Sequence, residues 1–186
     1  MRSHLLLFLG LVLAACSPAA SPAPAAPSSP PPSTTAAAAS PAQPPPLDTA
    51  LEPLRALVGT WRGADPDRHS TGQFTLAPEL GGKVLVRRGY NDSPQGHHED
   101  LTLMFSGPGG LRASYWDNEG HVIQYAVTAS ADRIEFLGDE APRQPRFRLR
   151  YDLHKPDEIA IDFAVAMPGA AEFQHYTGGV VHRVSP

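Results

Sequence analysis

The chain has 186 residues, and its 15 Lys and Arg against 19 Asp and Glu give a formal net charge of -4. This balance excludes the basic footprint that is typical of nucleic-acid-binding proteins. A single cysteine, Cys16, excludes an intramolecular disulfide framework. The length allows one domain of ordinary size.

The first residues have the three parts of a secretory signal peptide. Arg2 precedes an apolar run over residues 5–13, which is too short to span a bilayer as a helix. Small residues follow, immediately before Cys16. We therefore predict a signal peptide over residues 1–15; an ordinary signal peptide followed by a chance cysteine is the alternative.

The end of this segment, Leu13-Ala14-Ala15-Cys16, resembles the lipobox of bacterial lipoproteins. The resemblance implies cleavage before Cys16, which then carries acyl chains such as palmitate as the first residue. Each buried methylene contributes about 0.8 kcal/mol, so two or more chains anchor a protein stably. Ser17, in place of an aspartate, implies the outer membrane. We expect a bacterial protein anchored to the membrane through lipidated Cys16 and facing the periplasm.

Residues 16–46 form a segment that is almost wholly Pro, Ala and Ser after the cysteine. Eleven of the 21 prolines fall here and no residue is charged, so the segment cannot bury enough apolar surface to offset its ordering entropy. Its prolines favour extended polyproline II, with a reach of roughly 90 Å. The composition predicts a disordered tether and leaves an O-glycosylated or cell-wall-threading stalk open.

Residues 47–186 match one folded domain. Apolar spacing over residues 51–58 predicts a short N-terminal helix, with Pro53 in its first turn. After Trp61, strand-length runs alternate with turn signals, and no second helical pattern appears. We predict an all-β fold, an antiparallel meander that closes into a barrel of about ten strands.

Two hairpins fix a predicted register. Residues 118–120, Asn-Glu-Gly, suit a three-residue loop, which places Tyr115 opposite Ile123 and Ala113 opposite Tyr125. In the later hairpin, Phe147, Leu149, Tyr151 and Leu153 share one face and Ile159, Ile161, Phe163 and Val165 the matching one.

Charged residues sit opposite one another on two strand pairs. For the third and fourth strands, we predict Val86 opposite Leu101, which puts Arg88 opposite Glu99. A stripe of Arg146, Arg148 and Arg150 faces Asp162 in the later hairpin. The stripe predicts a solvated outer face, with an anion- or membrane-facing patch as the alternative.

Gly59-Thr60-Trp61, between a short helix and a meander, resembles the start of calycin barrels, which include lipocalins, fatty-acid-binding proteins and nitrobindin-like proteins. In lipocalins an arginine on the last strand packs over this tryptophan, which implies a structural role for Gly59, Trp61 and Arg183. The domain resembles bacterial lipocalin-like domains of unknown function, a likeness carried by residues 79–88, 98–101 and 115–123.

Five polar or aromatic side chains share parity with the apolar inner set and form the predicted ligand-binding group: Arg88, Glu99, Tyr115, Tyr125 and His175. Small barrels can hold one ligand in their interior. We therefore predict a small apolar or amphipathic ligand, or a purely structural or interaction role. A self-satisfied polar network around a filled core is the alternative.

No nucleophile elbow, phosphate loop or dinucleotide fingerprint is present, so we predict no catalytic residue. The run His97-His98-Glu99-Asp100 offers two ligands on each face, fewer than zinc sites use, and we predict no metal site. Nitrobindin-like proteins bind haem through a histidine near the end of the barrel, which makes His175 a possible haem ligand. A haem protein or an enzyme that uses His175 or the Arg88/Glu99/Tyr115 cluster is therefore the rival to a binding barrel. The sequence indicates no protein partner.

Overall fold

The computed structural model describes residues 46–65 and 67–184. The signal peptide predicted for residues 1–15, the lipidation site Cys16 and the tether predicted for residues 16–46 lie outside the described residues, apart from Pro46. No helix in the described part is long and apolar enough to cross a membrane.

Ten antiparallel strands form the described domain. Each strand pairs with the next, and the first pairs with the last, so the sheet closes on itself. The predicted all-β fold and closed antiparallel barrel are confirmed. The strands are β1 (Gly59–Asp65), β2 (Ser70–Glu79), β3 (Val84–Ser93), β4 (Gly96–Gly107), β5 (Gly110–Asp117), β6 (Val122–Ala129), β7 (Arg133–Gly138), β8 (Arg146–Lys155), β9 (Glu158–Ala166) and β10 (Gln174–Arg183).

The predicted N-terminal helix is present as a 3-10 helix, Thr49–Leu57. Its apolar residues Leu51, Leu54 and Leu57 recur every third position, which matches the three residues per turn of this helix and places them on one side. All three are 0% exposed. Asp48 caps the helix, because its side chain accepts a 2.9 Å hydrogen bond from the amide of Ala50.

We call the end of the barrel that holds this helix the closed end, and the opposite end, with the β3–β4, β5–β6 and β9–β10 connections, the open end. The buried core lies around the helix and the adjoining halves of the strands. Its largest fully buried side chains are Trp61, Tyr151, Phe136, Leu76, Leu85, Met104, Ile134 and Ile159, together with the three helix leucines.

The predicted registers of two hairpins are confirmed. In the β5–β6 pair, Ala113 lies opposite Tyr125 and Tyr115 opposite Ile123. In the β8–β9 pair, the apolar set of one strand lies opposite that of the other, for example Leu149 opposite Phe163. In both cases a turn signal and strict alternation agree.

The prediction for β3 and β4 is wrong in register and in facing. Arg88 lies opposite Leu101, two residues from the predicted partner Glu99. Arg87 is the inward residue, because it pairs with buried Leu76 and its guanidinium lies 4.5 Å from the Phe74 ring centroid. Apolar residues occupy both faces of these strands, so alternation alone did not distinguish the two faces.

The predicted facing of His175 is also wrong. The pairing of β10 with β9 is irregular between His175 and Thr177. His175 therefore lies opposite Ala164, while Thr177 lies opposite inward-facing Phe163. One extra residue moves every side chain beyond it to the other face, and His175 lies on the outer face.

Candidate functional site

The closed end is sealed by Trp61 and Arg183, which lie directly opposite each other on β1 and β10. The Arg183 guanidinium carbon lies 4.2 Å from the Trp61 ring centroid. The guanidinium also donates to the carbonyl oxygens of Val58 at 2.6 Å and Ala56 at 3.0 Å. It thereby satisfies carbonyls where the 3-10 helix ends. The packing of Arg183 over the Trp61 ring is the arrangement that the calycin resemblance implies.

Gly59 is the residue that lets Arg183 reach these carbonyls. Its φ of +132° lies in the region that favours glycine. A Cβ at this position would lie 2.5 Å from Nη1 of Arg183. The indole nitrogen of Trp61 donates a 2.8 Å bond to the Leu57 carbonyl. Gly59 and Trp61 on the first strand and Arg183 on the last strand therefore hold the helix against the barrel.

The open end presents inward-facing apolar residues that are half-buried. Most of those on β6, β8 and β9 also pack against the core, and Leu153 and Val181, toward the closed end, are half-buried as well. Two of the open-end residues, Phe147 and Phe163, stack with ring centroids 5.9 Å apart. This half of the interior therefore presents apolar surface that the protein itself does not fully cover; the half-buried inward residues are Ile123, Phe147, Leu149, Ile161 and Phe163.

A polar network borders this apolar surface, with Asp117 at its centre. The Asp117 side chain is only 3% exposed. It accepts bonds from the amides of Glu119 and His121, from Nδ1 of His121 at 2.8 Å and from the Tyr115 hydroxyl at 3.0 Å. Burial would raise the pKa of Asp117, but these hydrogen bonds outweigh it and lower the pKa.

Tyr115 is fixed in a protonated, donating state by this network. Burial first, and then the charge of Asp117, raise the pKa of the Tyr115 phenol. Because the hydroxyl donates to Asp117, its oxygen can accept from Nε2 of His98, 3.2 Å away. Tyr115 can therefore orient a polar group and is not suited to act as a base.

The interior also holds an ion pair that the sequence reasoning missed. The Arg87 guanidinium donates through Nη1 to Asp100, and the two side chains are 15% and 9% exposed. Nε of Arg87 is buried and has no hydrogen-bond partner among the described residues. Gly89 makes room for the pair, since a Cβ there would lie 2.9 Å from Arg87. Arg87 therefore has one buried nitrogen whose hydrogen-bonding capacity is unused among the described residues.

The five predicted ligand-binding residues divide between the two faces of the barrel. Tyr115 and Tyr125 face inward; Tyr125 is buried in the core against Phe136, and burial raises its pKa. Arg88 is bonded to Glu79 at 2.6 Å on the outer face.

The other two predicted residues lie on the outer face as well. Glu99 contacts His97 at 3.1 Å, and His175 contacts Asp162 at 2.7 Å. The expected Arg88/Glu99/Tyr115 cluster is therefore absent from the described interior. Tyr115 faces inward as predicted. Its inward neighbours are Arg87 and Asp100, each one residue away from the predicted Arg88 and Glu99.

The structure also shows where the arginine stripe of β8 lies. The arginine stripe lies on the outer face, and Arg148 pairs with the predicted Asp162 at 3.5 Å. The side chains of Arg146, Arg148 and Arg150 are only 28%, 19% and 30% exposed, so this face is less solvated than predicted. Within the described residues, no group of three or more His, Cys, Asp and Glu side chains could hold a metal ion.

Comparisons with known proteins do not assign the chain to a family. No protein family model matches the chain. No curated protein matches it either.

Proposed function

We propose that this protein is a lipid-anchored cell-envelope protein that binds a small apolar or amphipathic molecule in the open half of its barrel. One observation carries the binding proposal. Inward-facing apolar side chains of the open end are only half-buried, and one of them, Ile123, lies opposite Tyr115, which is bonded to the buried carboxylate of Asp117. Interior apolar surface beside a few fixed polar groups is typical of small-molecule sites.

The lining residues would contact an apolar part and a polar part of the ligand. Ile123, Leu149 and Phe163 would cover the apolar part, and each buried Å² would contribute about 25 cal/mol. A ligand oxygen would accept from the nitrogen of Arg87 that has no partner among the described residues, once the side chain turns this buried nitrogen toward the ligand. Pairing a buried, unsatisfied donor is favourable because its desolvation cost is already present in the free protein.

The binding proposal is tested by native mass spectrometry of the full chain purified from bacterial envelopes. We expect a small-molecule adduct on the unaltered chain and at least about a tenfold loss of it in Ile123→Gln, because a buried amide without a partner costs about 1–3 kcal/mol. Val122→Gln is the matched control, since Val122 is the neighbouring residue and is 59% exposed. If the unaltered chain carries no adduct, the binding proposal fails and a structural or interaction role remains.

The anchor is proposed from the sequence Leu13-Ala14-Ala15-Cys16. We expect Cys16→Ser to abolish metabolic labelling with radioactive palmitate and to release the protein from the membrane fraction. Ser17→Ala is a control that keeps the cysteine. Labelling that persists in Cys16→Ser would contradict the anchor.

A further inference from the structure

Within the described residues, the strand pair that closes the barrel covers only part of β10. Strands β1 and β10 are in register only at Trp61, Arg62 and Gly63. β1 ends at Asp65, whereas β10 extends away from the closed end to Gln174. Among the described residues, positions 174–180 of β10 have no residue of β1 in register beside them. We call this stretch the β10 edge.

Solvent reaches the inner face of the barrel at this edge. Thr177 and Gly179 lie opposite Phe163 and Ile161, so they belong to the inner face. Both are nevertheless exposed. A Cβ on Gly179 would meet no atom within 4 Å, whereas one on Gly178 would lie 2.2 Å from the Ile161 carbonyl oxygen. Among the described residues, the space next to Gly179 is therefore open.

The opening has apolar surface on its inner side. Behind it lie half-buried Ile161 and Phe163 of the open half, and the 71% exposed Tyr176 ring stands edge-on to Phe163 at 6.0 Å.

We propose that the ligand enters and leaves the barrel sideways, through the opening beside Gly179. This inference rests on the proposed ligand binding and adds the route. The end of the barrel is the competing route. There the network of His98, Tyr115 and Asp117 would have to rearrange, and Asp117 alone accepts four hydrogen bonds. Passage beside Gly179 breaks none of these bonds.

The test uses two neighbouring residues on opposite faces of one strand. Gly179→Trp places an indole in the opening, and its backbone is not in the left-handed region. Val180→Trp adds the same bulk to the outer face, where Val180 is 45% exposed. The probe is the amphipathic dye 1-anilinonaphthalene-8-sulfonate, mixed with the full chain in a stopped-flow fluorimeter.

We expect Gly179→Trp to slow both association and dissociation of the dye by about tenfold or more, since a constriction on the route lowers both rates. Val180→Trp should leave both rates close to those of the unaltered chain. If Gly179→Trp does not fold, as shown by the loss of a cooperative thermal transition, Thr177→Phe on the same inner face provides the same test.

The outcomes separate the route from the site. Unchanged rates in Gly179→Trp or Thr177→Phe, with normal dye binding, would overturn the lateral route and leave the proposed function intact. Equal slowing in Val180→Trp would overturn the route too, because the inner face would not be special. An unaltered chain that binds no dye would overturn both.

Discussion

The two ends of the barrel are built differently, although they share the same ten strands. At the closed end, Leu54 and Trp61 are 0% and 1% exposed, and Arg183 is bonded to two carbonyls. At the open end, Ile123 and Phe163 are only half-buried beside a buried polar network. We therefore expect stability to be concentrated where apolar burial is complete, and surface for a ligand to remain where burial is incomplete.

The physical reason lies in how burial contributes free energy. Fully burying one large apolar side chain contributes about 1.5–3 kcal/mol. The 3-10 helix supplies three such side chains at the closed end. A ligand that covers Phe163 or Leu149 would supply the corresponding burial at the open end. This contrast leads to four predictions, in descending order of expected effect.

The largest effect is expected at Trp61. Trp61→Ala should lower the free energy of unfolding by about 3–5 kcal/mol, because it leaves a cavity in the closed core. Trp116→Ala is the matched control; Trp116 is 36% exposed on the outer face of the open half and should cost about 1 kcal/mol or less. Urea unfolding followed by circular dichroism measures both. Equal losses would contradict the contrast between the ends.

Removing Arg183 should have the next largest effect. Arg183→Gln loses the contact with the Trp61 ring and the charged bonds to Val58 and Ala56, at a cost of about 1.5–3 kcal/mol. Arg88→Gln, which loses an exposed ion pair with Glu79, should cost about 0–1 kcal/mol. The same urea titration compares them. A larger loss for Arg88→Gln than for Arg183→Gln would contradict the stabilising role assigned to Arg183.

Asp117 tests the organisation of the open end. Asp117→Asn should cost about 1–3 kcal/mol at neutral pH, because the amide cannot accept all four hydrogen bonds. The lowered pKa of Asp117 means that its stabilisation is present above the ordinary value of 3.8 and is lost as pH falls through the lower folded pKa. The difference between the two proteins should therefore shrink at acid pH.

Glu119→Gln serves as the control for Asp117→Asn, since the Glu119 side chain is 60% exposed and its amide, which bonds to Asp117, is retained. Unfolding curves at a series of pH values measure both variants. A difference between Asp117→Asn and the unaltered chain that grows at acid pH would contradict the assigned hydrogen bonds.

The smallest effect is expected at His97, at the exposed rim of the open end. Hydrogen bonds to Asp92 and then to Glu99 raise the pKa of His97 above the ordinary 6.5. Its stabilisation is full below 6.5 and is lost as pH rises through the folded pKa. In an NMR titration, Asp92→Asn should lower the His97 pKa more than Glu99→Gln. The reverse order would contradict the geometry.

The sequence predicted the parts of the fold that local chemistry determines. The Asn118-Glu119-Gly120 loop and strict alternation gave the β5–β6 register. Gly59 and Trp61 marked the start of the barrel. The leucine spacing over residues 51–57 gave the helix, although a spacing of three is also the 3-10 period, which the prediction did not use.

The candidate site was harder to predict because it depends on which face is inside. Val84 and Val86 lie on the outer face although they are apolar, so Arg88 was taken for the inward arginine in place of Arg87. The irregularity at Tyr176 leaves no mark in the sequence, and it reversed the facing of His175. Gly89, which makes room for Arg87 and Asp100, was the sequence feature that indicated a close approach at this point of the strand.

The most direct test of the account is to map where a ligand binds on the folded chain. Amide NMR shifts of the isotope-labelled full chain should be recorded during titration with 1-anilinonaphthalene-8-sulfonate. The account predicts saturable shifts at Tyr115, Ile123 and Phe163, with Leu54 and the Trp61 indole unchanged. Shifts centred on Leu54 and Trp61, or no saturable shifts at all, would contradict it.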